Sequence, residues 1–110
     1  MKVCFKTKKM FKIFSKEKEL KKRYGVKMAK KIIQRLDDMI AAENLEVLFT
    51  LPGNHHPLKG DRKGQFACYL EHPYRLVYEP GNEPLPINEN NELIYSKITI
   101  VNIIEVEDYH

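Results

Sequence analysis

Residues Val26–Ala42 have the sequence VKMAKKIIQRLDDMIAA, and their hydrophobic side chains recur every three or four positions. The recurring set comprises Ala29, Ile32, Ile33, Leu36, Met39 and Ile40. Lysine, arginine and aspartate occupy positions between them, so that one side of the segment is apolar and the other charged. This spacing predicts an amphipathic helix whose apolar side must be covered by another layer of the protein.

The residues before this helix indicate a strand and a further helical segment. Lys2–Lys6 alternates between apolar and polar side chains, as a short strand does. Four hydrophobic residues then follow at helical spacing, namely Met10, Phe11, Ile13 and Phe14. Thr7 and Ser15 are candidate N-caps, and Gly25 is a candidate break or C-cap before the amphipathic helix.

After His56 the period of the hydrophobic pattern changes to two, which is the period of a strand. Gln65–Glu71 is therefore predicted to be a strand, and Tyr74–Glu79 the next one. The dipeptide His72-Pro73 between them is typical of a tight turn. The two strands are expected to form a hairpin.

The remaining segments complete the predicted architecture. Leu45–Leu51 is expected to add a short helical turn, and Pro80–Glu92, which contains three prolines, to form an exposed loop. Leu93–Val106 is rich in β-branched residues and is predicted to be a long strand. This order predicts an α+β fold, in which two N-terminal helices pack on one face of a small, mainly antiparallel sheet of three to four strands.

Length and composition exclude several classes of protein. The chain has 110 residues, of which 43% are hydrophobic and 31% charged, as expected for a single globular domain spanning residues 1–110. No apolar run approaches the roughly 20 residues of a membrane-spanning helix, and no secretory signal is visible. Cys4 and Cys68 have no zinc-ligand spacing and do not suggest the disulfide framework of a small secreted protein, so we expect a reduced, cytoplasmic protein. We expect no membrane partner.

Charge is distributed very unevenly along the chain. Residues 1–35 contain 14 Lys and Arg residues but only two acids, whereas residues 36–110 contain five Lys and Arg residues and 13 acids. A strongly basic segment on a small domain indicates a polyanionic partner, most commonly nucleic acid. The alternative is a lysine-rich helix face that is merely solvated.

Two polar segments could carry chemistry, the loop at residues 55–64 and the tail at residues 108–110. Histidine suits acid and base roles because its unperturbed pKa lies near neutrality, and Lys and Arg suit the stabilisation of a phosphorane. The sequence shows no dense carboxylate cluster for Mg²⁺ and no Cys/His zinc motif. A metal-free cleavage of a phosphodiester is compatible with these residues, although composition and spacing alone do not establish it.

At these residues the sequence resembles a known family. His56–Arg62, with the sequence HPLKGDR, resembles a segment of the HigB-type toxins, which belong to the RelE/ParE toxin superfamily. The pair Tyr74-Arg75 is similar to an aromatic-Arg position of the family, and Glu107–His110 (EDYH) to its characteristic ending. The sequence departs from the family's pattern at two places: the segment Pro80–Glu92 is longer than expected, and Tyr74 occupies a position where tryptophan is frequent.

The resemblance implies a RelE-like toxin of a bacterial type II toxin–antitoxin pair, a ribosome-dependent endoribonuclease that cleaves translated mRNA without a cofactor or catalytic metal. Its implied partners are the ribosome, mRNA and a helix-turn-helix, HigA-like antitoxin, through which alone it would contact operator DNA. The residues that the resemblance assigns to catalysis are His56, Asp108, Tyr109 and His110. Those assigned to substrate phosphate are Lys59, Arg62 and Arg75.

Several alternatives remain open on the sequence alone. The same scaffold could be a ParE-like inhibitor that poisons DNA gyrase without cutting RNA, or an inactive regulatory paralogue. Arg75 could simply pair with Glu71 or Glu79 across the hairpin. His55 is expected to be a surface neighbour of the site, and His72 to be structural.

Overall fold

A five-stranded sheet carries the helices on one of its faces, in a computed structural model that describes residues 1–109. His110 lies outside the described residues. The helices are α1 (Lys8–Phe14), α2 (Glu17–Tyr24), α3 (Val26–Ala41) and α4 (Leu45–Leu48). The strands are β1 (Lys2–Phe5), β2 (His56–Pro57), β3 (Phe66–Tyr69), β4 (Tyr74–Pro80) and β5 (Ile100–Asp108). The predicted α+β class is confirmed.

The sheet has the strand order β1-β5-β4-β3-β2. Strand β1 runs parallel to β5, and every other neighbouring pair is antiparallel. The predicted hairpin is confirmed as β3 and β4. The sheet has one strand more than the three to four predicted, because β2 contains only His56 and Pro57 and is too short to show a period in the sequence.

Helix α3 buries one side against this sheet, as its spacing predicts. Its buried hydrophobic residues are Met28, Ala29, Ile32, Leu36 and Met39. They share one core with buried residues of the other helices and the sheet: Phe14, Leu20, Leu45, Leu48, Phe66, Cys68, Leu76, Tyr78, Val101 and Ile103. Ile40 lies at the margin of the apolar side and remains 61% exposed. None of the helices described in residues 1–109 is long and apolar enough to cross a membrane.

The segment before α3 was predicted to contain one helix but contains two, α1 and α2. The N-terminal part of the fold therefore has three helices before α4, and not the two predicted. Thr7 caps α1, since its hydroxyl accepts a 3.1 Å hydrogen bond from the Met10 amide. Ser15 was a candidate N-cap but ends α1 instead, and its hydroxyl donates to the Phe11 carbonyl. Gly25 separates α2 from α3 with φ = 85°, a conformation that favours glycine.

The prediction of one strand over Leu93–Val106 is wrong at its beginning. Tyr95–Lys97 forms a single 3₁₀ turn, and β5 starts only at Ile100. The Tyr95 ring packs against Phe49 at 5.1 Å and Phe66 at 5.6 Å between ring centroids. We infer that these ring contacts, with the residue that ends α4 and with β3, outweigh the strand preference of the surrounding β-branched residues.

Two of the three isoleucines of α3, Ile32 and Ile40, test how much the helix depends on its buried side. We expect Ile32→Ala to lower the free energy of unfolding by about 2–5 kcal/mol, because Ile32 is fully buried. Ile40→Ala is the matched control on the same helix and should change it by no more than about 0.5 kcal/mol. Urea unfolding of both variants measures the difference, and equal losses would contradict the assignment of the buried side.

Candidate functional site

Polar side chains collect on the face of the sheet that the helices leave uncovered. Tyr69 of β3 is paired with Arg75 of β4, which is paired with Glu107 of β5. Cross-strand partners project to the same face, and these three alternate with residues whose side chains enter the core. They therefore form one row across three strands on the face away from the core.

A second row lies two residues away on the same face. His56 of β2 is paired with Ala67, which is paired with Val77, which is paired with Glu105. We call the side of the sheet that carries both rows, with His56, Tyr69, Arg75, Glu105 and Glu107, the polar face. Four strands thus bring residues from distant parts of the chain within reach of each other.

The His56 ring is held in one orientation. Its Nδ1 lies 2.7 Å from the carbonyl oxygen of Asn54, and the ring meets Tyr69 edge-on at 5.7 Å between centroids. A carbonyl can only accept a hydrogen bond, so the proton of the neutral ring lies on Nδ1. Nε2 then carries the lone pair and is the atom of His56 that can take up a proton.

Arg75 is buried and forms an ion pair. The sequence alternative of a cross-hairpin pair named Glu71 or Glu79 as the partner, but the structure shows neither of them in that place. Arg75 Nε donates to Glu107 Oε2 at 2.7 Å. Its guanidinium carbon stands 3.9 Å from the centroid of the Tyr109 ring, a cation–π contact. The Tyr109 amide donates to the Pro73 carbonyl at 2.8 Å, so Arg75 and the β3–β4 turn together position Tyr109.

Arg62 reaches the same carboxylates from the other side. It ends a 3₁₀ turn, Gly60–Arg62, and its Nη1 donates to Gln65 Oε1 at 2.7 Å. Its Nη2 lies 3.0 Å from Glu105 Oε1 and 3.3 Å from Glu107 Oε1. Both arginines predicted to contact phosphate are therefore engaged by acids of β5.

Two of the predicted residues lie away from this group. Lys59 is exposed and lines a groove of about 1380 Å³ between the residues that follow β2 and the loop after β4. Asp108 is paired with Tyr74, and strand alternation places its side chain on the opposite face from Glu107. His110, the remaining catalytic candidate, lies outside the described residues. The structure thus brings together His56, Arg62, Arg75 and Tyr109.

Sequence reasoning missed three members of this group: Tyr69, Glu105 and Glu107. The acids carried a usable signal, because they alternate with Ile104 and Val106 in an otherwise apolar strand. Among residues 1–109, no group of three or more His, Cys, Asp and Glu side chains is arranged to hold a metal ion.

His55 was expected at the surface but is only 7% exposed. As the neighbour of His56 it projects to the core side of β2, where its Nδ1 lies 2.7 Å from the Tyr78 hydroxyl. The Phe49 ring stacks on it at 6.2 Å between centroids. Desolvation by burial, together with the positive charges of Arg35 and His56, lowers the pKa of His55 from 6.5 to about 4.

This lowered pKa predicts a dependence of stability on pH. Below pH 6.5 the unfolded chain protonates His55, whereas the folded protein does so only near pH 4, so stability is lost as the pH falls through this window. Between about pH 7.5 and 5, His55 alone should cost about 2 kcal/mol. Urea unfolding at both pH values should show a smaller loss for His55→Phe than for the wild type. An equal loss in both proteins would contradict the assignment.

Comparison with known proteins finds solved structures with a similar fold. No protein-family model matches the chain, and neither does any curated protein. The YoeB/ParE toxin from Agrobacterium tumefaciens has a TM-score of 0.63 at 17% identity, over 100% of both chains. A chain of the YoeB-YefM complex from Staphylococcus aureus has a TM-score of 0.56 at 21% identity, over 100% of this chain and 97% of that one.

A YoeB dimer from the same organism is similar to the same degree, with a TM-score of 0.56 and 20% identity over 100% of this chain and 97% of that chain. These structures align along the whole described fold, including the sheet that carries the polar face. At such identities the likeness concerns the fold. The RelE-like fold class predicted from the sequence is thereby confirmed, and it is a fold shared with YoeB and ParE toxins.

Proposed function

We propose that this protein is the toxin of a type II toxin–antitoxin pair, of the HigB type, and that it is a ribosome-dependent endoribonuclease. The observation that carries the proposal is the polar face, where a histidine, two arginines and two tyrosines meet on an exposed side of a toxin fold. Cleavage of RNA next to its own 2′-hydroxyl needs a base, an acid and cations, and does not need a metal.

The orientation of His56 fits the role of the base. Its Nε2 takes the proton of the 2′-hydroxyl, and the oxygen attacks the adjacent phosphorus. The bond from phosphorus to the 5′-oxygen breaks, and an acid protonates that oxygen, leaving a 2′,3′-cyclic phosphate and a 5′-hydroxyl. We assign the acid to His110, which lies outside the described residues. Arg62 and Arg75 stabilise the charge that develops on the phosphorane oxygens.

The other predicted residues take supporting roles in this proposal. Tyr109 lies against the Arg75 guanidinium and offers an aromatic surface beside the reacting phosphate. Lys59 follows β2 at the edge of the sheet and contacts a neighbouring phosphate of the RNA. Asp108 is paired with Tyr74 at the end of β5, on the other side of the sheet from Glu107, and takes no part in the proton transfers of this proposal.

The basic surface formed by α1–α3 supplies the contact with the ribosome. Its charged members at positions 8–31 are exposed with few exceptions, and only the pair Lys21–Glu17, at 3.5 Å, is an ion pair between described residues of this surface. Because these helices cover the opposite side of the sheet from the polar face, ribosomal RNA and mRNA would bind to opposite sides of the protein. The implied location is the cytoplasm.

The antitoxin is the second partner in this proposal. One of the similar structures is a YoeB-YefM complex, which supports a protein partner for this fold. The resemblance of the sequence to HigB-type toxins points to a HigA-like helix-turn-helix protein, which would also carry the contact with operator DNA.

One observation favours a second candidate, a ParE-like inhibitor that does not cut RNA. Both arginines of the polar face are paired with acids. A protein that binds its target without cleaving RNA does not need unpaired arginines to stabilise a phosphorane, so this pairing is compatible with its function. One of the similar structures is called a YoeB/ParE toxin. Mapping of RNA ends distinguishes the two functions.

The first test replaces the proposed base. We expect His56→Ala, and likewise deletion of His110, to leave a folded protein that no longer stops growth, since each acid–base group contributes about 10²–10⁴-fold. The measurements are growth after induction, mapping of mRNA 5′ ends and a thermal melt. His72→Ala, an exposed histidine in the β3–β4 turn, is the matched control and should remain toxic. Growth arrest without new mRNA 5′ ends in the wild type would favour the ParE-like function instead.

The second test concerns the basic surface. Reversing Lys9, Lys12, Lys18 and Lys22 to glutamate should weaken binding to ribosomes and flatten its dependence on salt, since fewer counterions are released. Stability should change little, because all four side chains are exposed. The same four lysines changed to glutamine should give an intermediate loss. Unchanged ribosome affinity in both variants would show that these lysines form only a solvated helix surface and do not contact the ribosome.

A further inference from the structure

The carboxylate of Glu107 lies between two guanidinium groups. Arg75 Nε donates to its Oε2 at 2.7 Å, and Arg62 Nη2 lies 3.3 Å from its Oε1. Each oxygen of the carboxylate thus faces a different arginine. A phosphodiester has the same features, namely one negative charge shared by two oxygens at a similar spacing, and arginine binds both anions with the same planar geometry.

Glu105 adds a second carboxylate to the group. Its Oε1 lies 3.0 Å from Arg62 Nη2, which is therefore shared between the two acids. With two arginines and two glutamates, the charges of this group cancel. The two arginines therefore present no net positive charge to a phosphate until one of these carboxylates leaves.

We propose that Glu107, assisted by Glu105, occupies in the free protein the place between Arg62 and Arg75 that a substrate phosphate takes during cleavage. This inference rests on the proposed function. Glu107 is then a residue that controls access of RNA to the site, and it has to be displaced before the arginines can act. The acids act as an internal competitor of the substrate.

The exposure of the four side chains indicates how the exchange proceeds. The Arg75 side chain is 9% exposed and that of Glu107 25%, whereas those of Arg62 and Glu105 are 29% and 43% exposed. The outer pair is accessible to solvent, and ion pairs of this kind are worth little. RNA can therefore replace the Arg62–Glu105 pair first and reach the inner pair afterwards.

This competitor gives a physical reason for dependence on the ribosome. RNA that is free in solution gains little binding free energy at this site, because its phosphate only replaces a carboxylate on the same arginines. A partner that binds the basic surface of α1–α3 and holds mRNA against the polar face supplies the missing binding free energy, because the substrate is then already positioned. RNA that is not being translated would therefore not be cleaved.

The test measures RNA binding by the isolated full-length protein without ribosomes. The probe is a short single-stranded RNA with a 2′-O-methyl group at every position, which cannot be cleaved, and binding is followed by fluorescence anisotropy at increasing salt. Glu107→Gln should bind about tenfold more tightly at low salt, the gain expected from one charge-assisted hydrogen bond. The slope of log K against log salt should steepen by about 0.7 for each arginine that gains a phosphate.

Two controls separate this effect from a general change in charge. Glu43→Gln makes the same substitution at an exposed residue in the turn between α3 and α4, and should bind the probe like the wild type. Arg75 has Glu107 as its hydrogen-bonded acid, whereas Arg62 keeps Glu105, so adding Arg75→Gln to Glu107→Gln should abolish most of the gain. Thermal melts should show that Glu107→Gln is less stable than the wild type although it binds RNA more tightly, whereas a purely structural role would weaken both.

The inference is overturned if Glu107→Gln binds RNA no more tightly than Glu43→Gln, or if the gain persists without Arg75. Neither outcome touches the proposed function, which depends on growth arrest and mRNA ends. Conversely, absence of mRNA cleavage by the wild type would refute the proposed function whatever this binding experiment shows.

Discussion

The register between β4 and β5 is the constraint on which the polar face depends. Val77 is paired with Glu105, but the next residue, Tyr78, is paired with Ile103, so Ile104 has no partner on β4. Such a bulge shifts the alternation of a strand by one residue. Without it, Glu105 and Glu107 would project to the same face as Val101 and Ile103, into the core. With it, they project to the side where Arg75 and Arg62 lie.

The same bulge explains how one strand serves two purposes. Before it, Val101 and Ile103 complete the core beneath the helices. After it, the acids of β5 hold the arginines, and Tyr109 comes to lie on Arg75. The buried guanidinium is tolerated because Glu107 and the ring satisfy it, and removal of either partner would leave an unpaired charge at the base of the site.

Periodicity explains which parts of this structure could be predicted from the sequence. The spacing of Ala29, Ile32 and Leu36 is local and periodic, and it correctly predicted α3. The bulge at Ile104 has no such signature, because a run of β-branched residues fits either face of a sheet. The predicted strand over Leu93–Val106 therefore missed both its true start and the change of face that defines the site.

Other features were beyond the sequence because they depend on contacts between distant segments. Burial of His55 follows from the pairing of β2 with β3, and a strand of two residues has no period to recognise. The short motifs singled out His56, Arg62 and Arg75 as candidates, and the fold brings these three side chains onto one face. They could not show that both arginines are already held by acids, since that depends on the register of β5.

The position of β5 within the sheet has a consequence for the timing of folding. It lies between β1 and β4, so the earliest and a late strand of the chain both need it as a neighbour. During synthesis β5 follows every other strand, and until it emerges β1 lacks its parallel partner and the core lacks Val101 and Ile103. Pairing over such a long stretch of chain makes folding slow compared with local helix formation. A nascent chain therefore cannot assemble the polar face before β5 has been made, even when the helices and the β3–β4 hairpin are already complete.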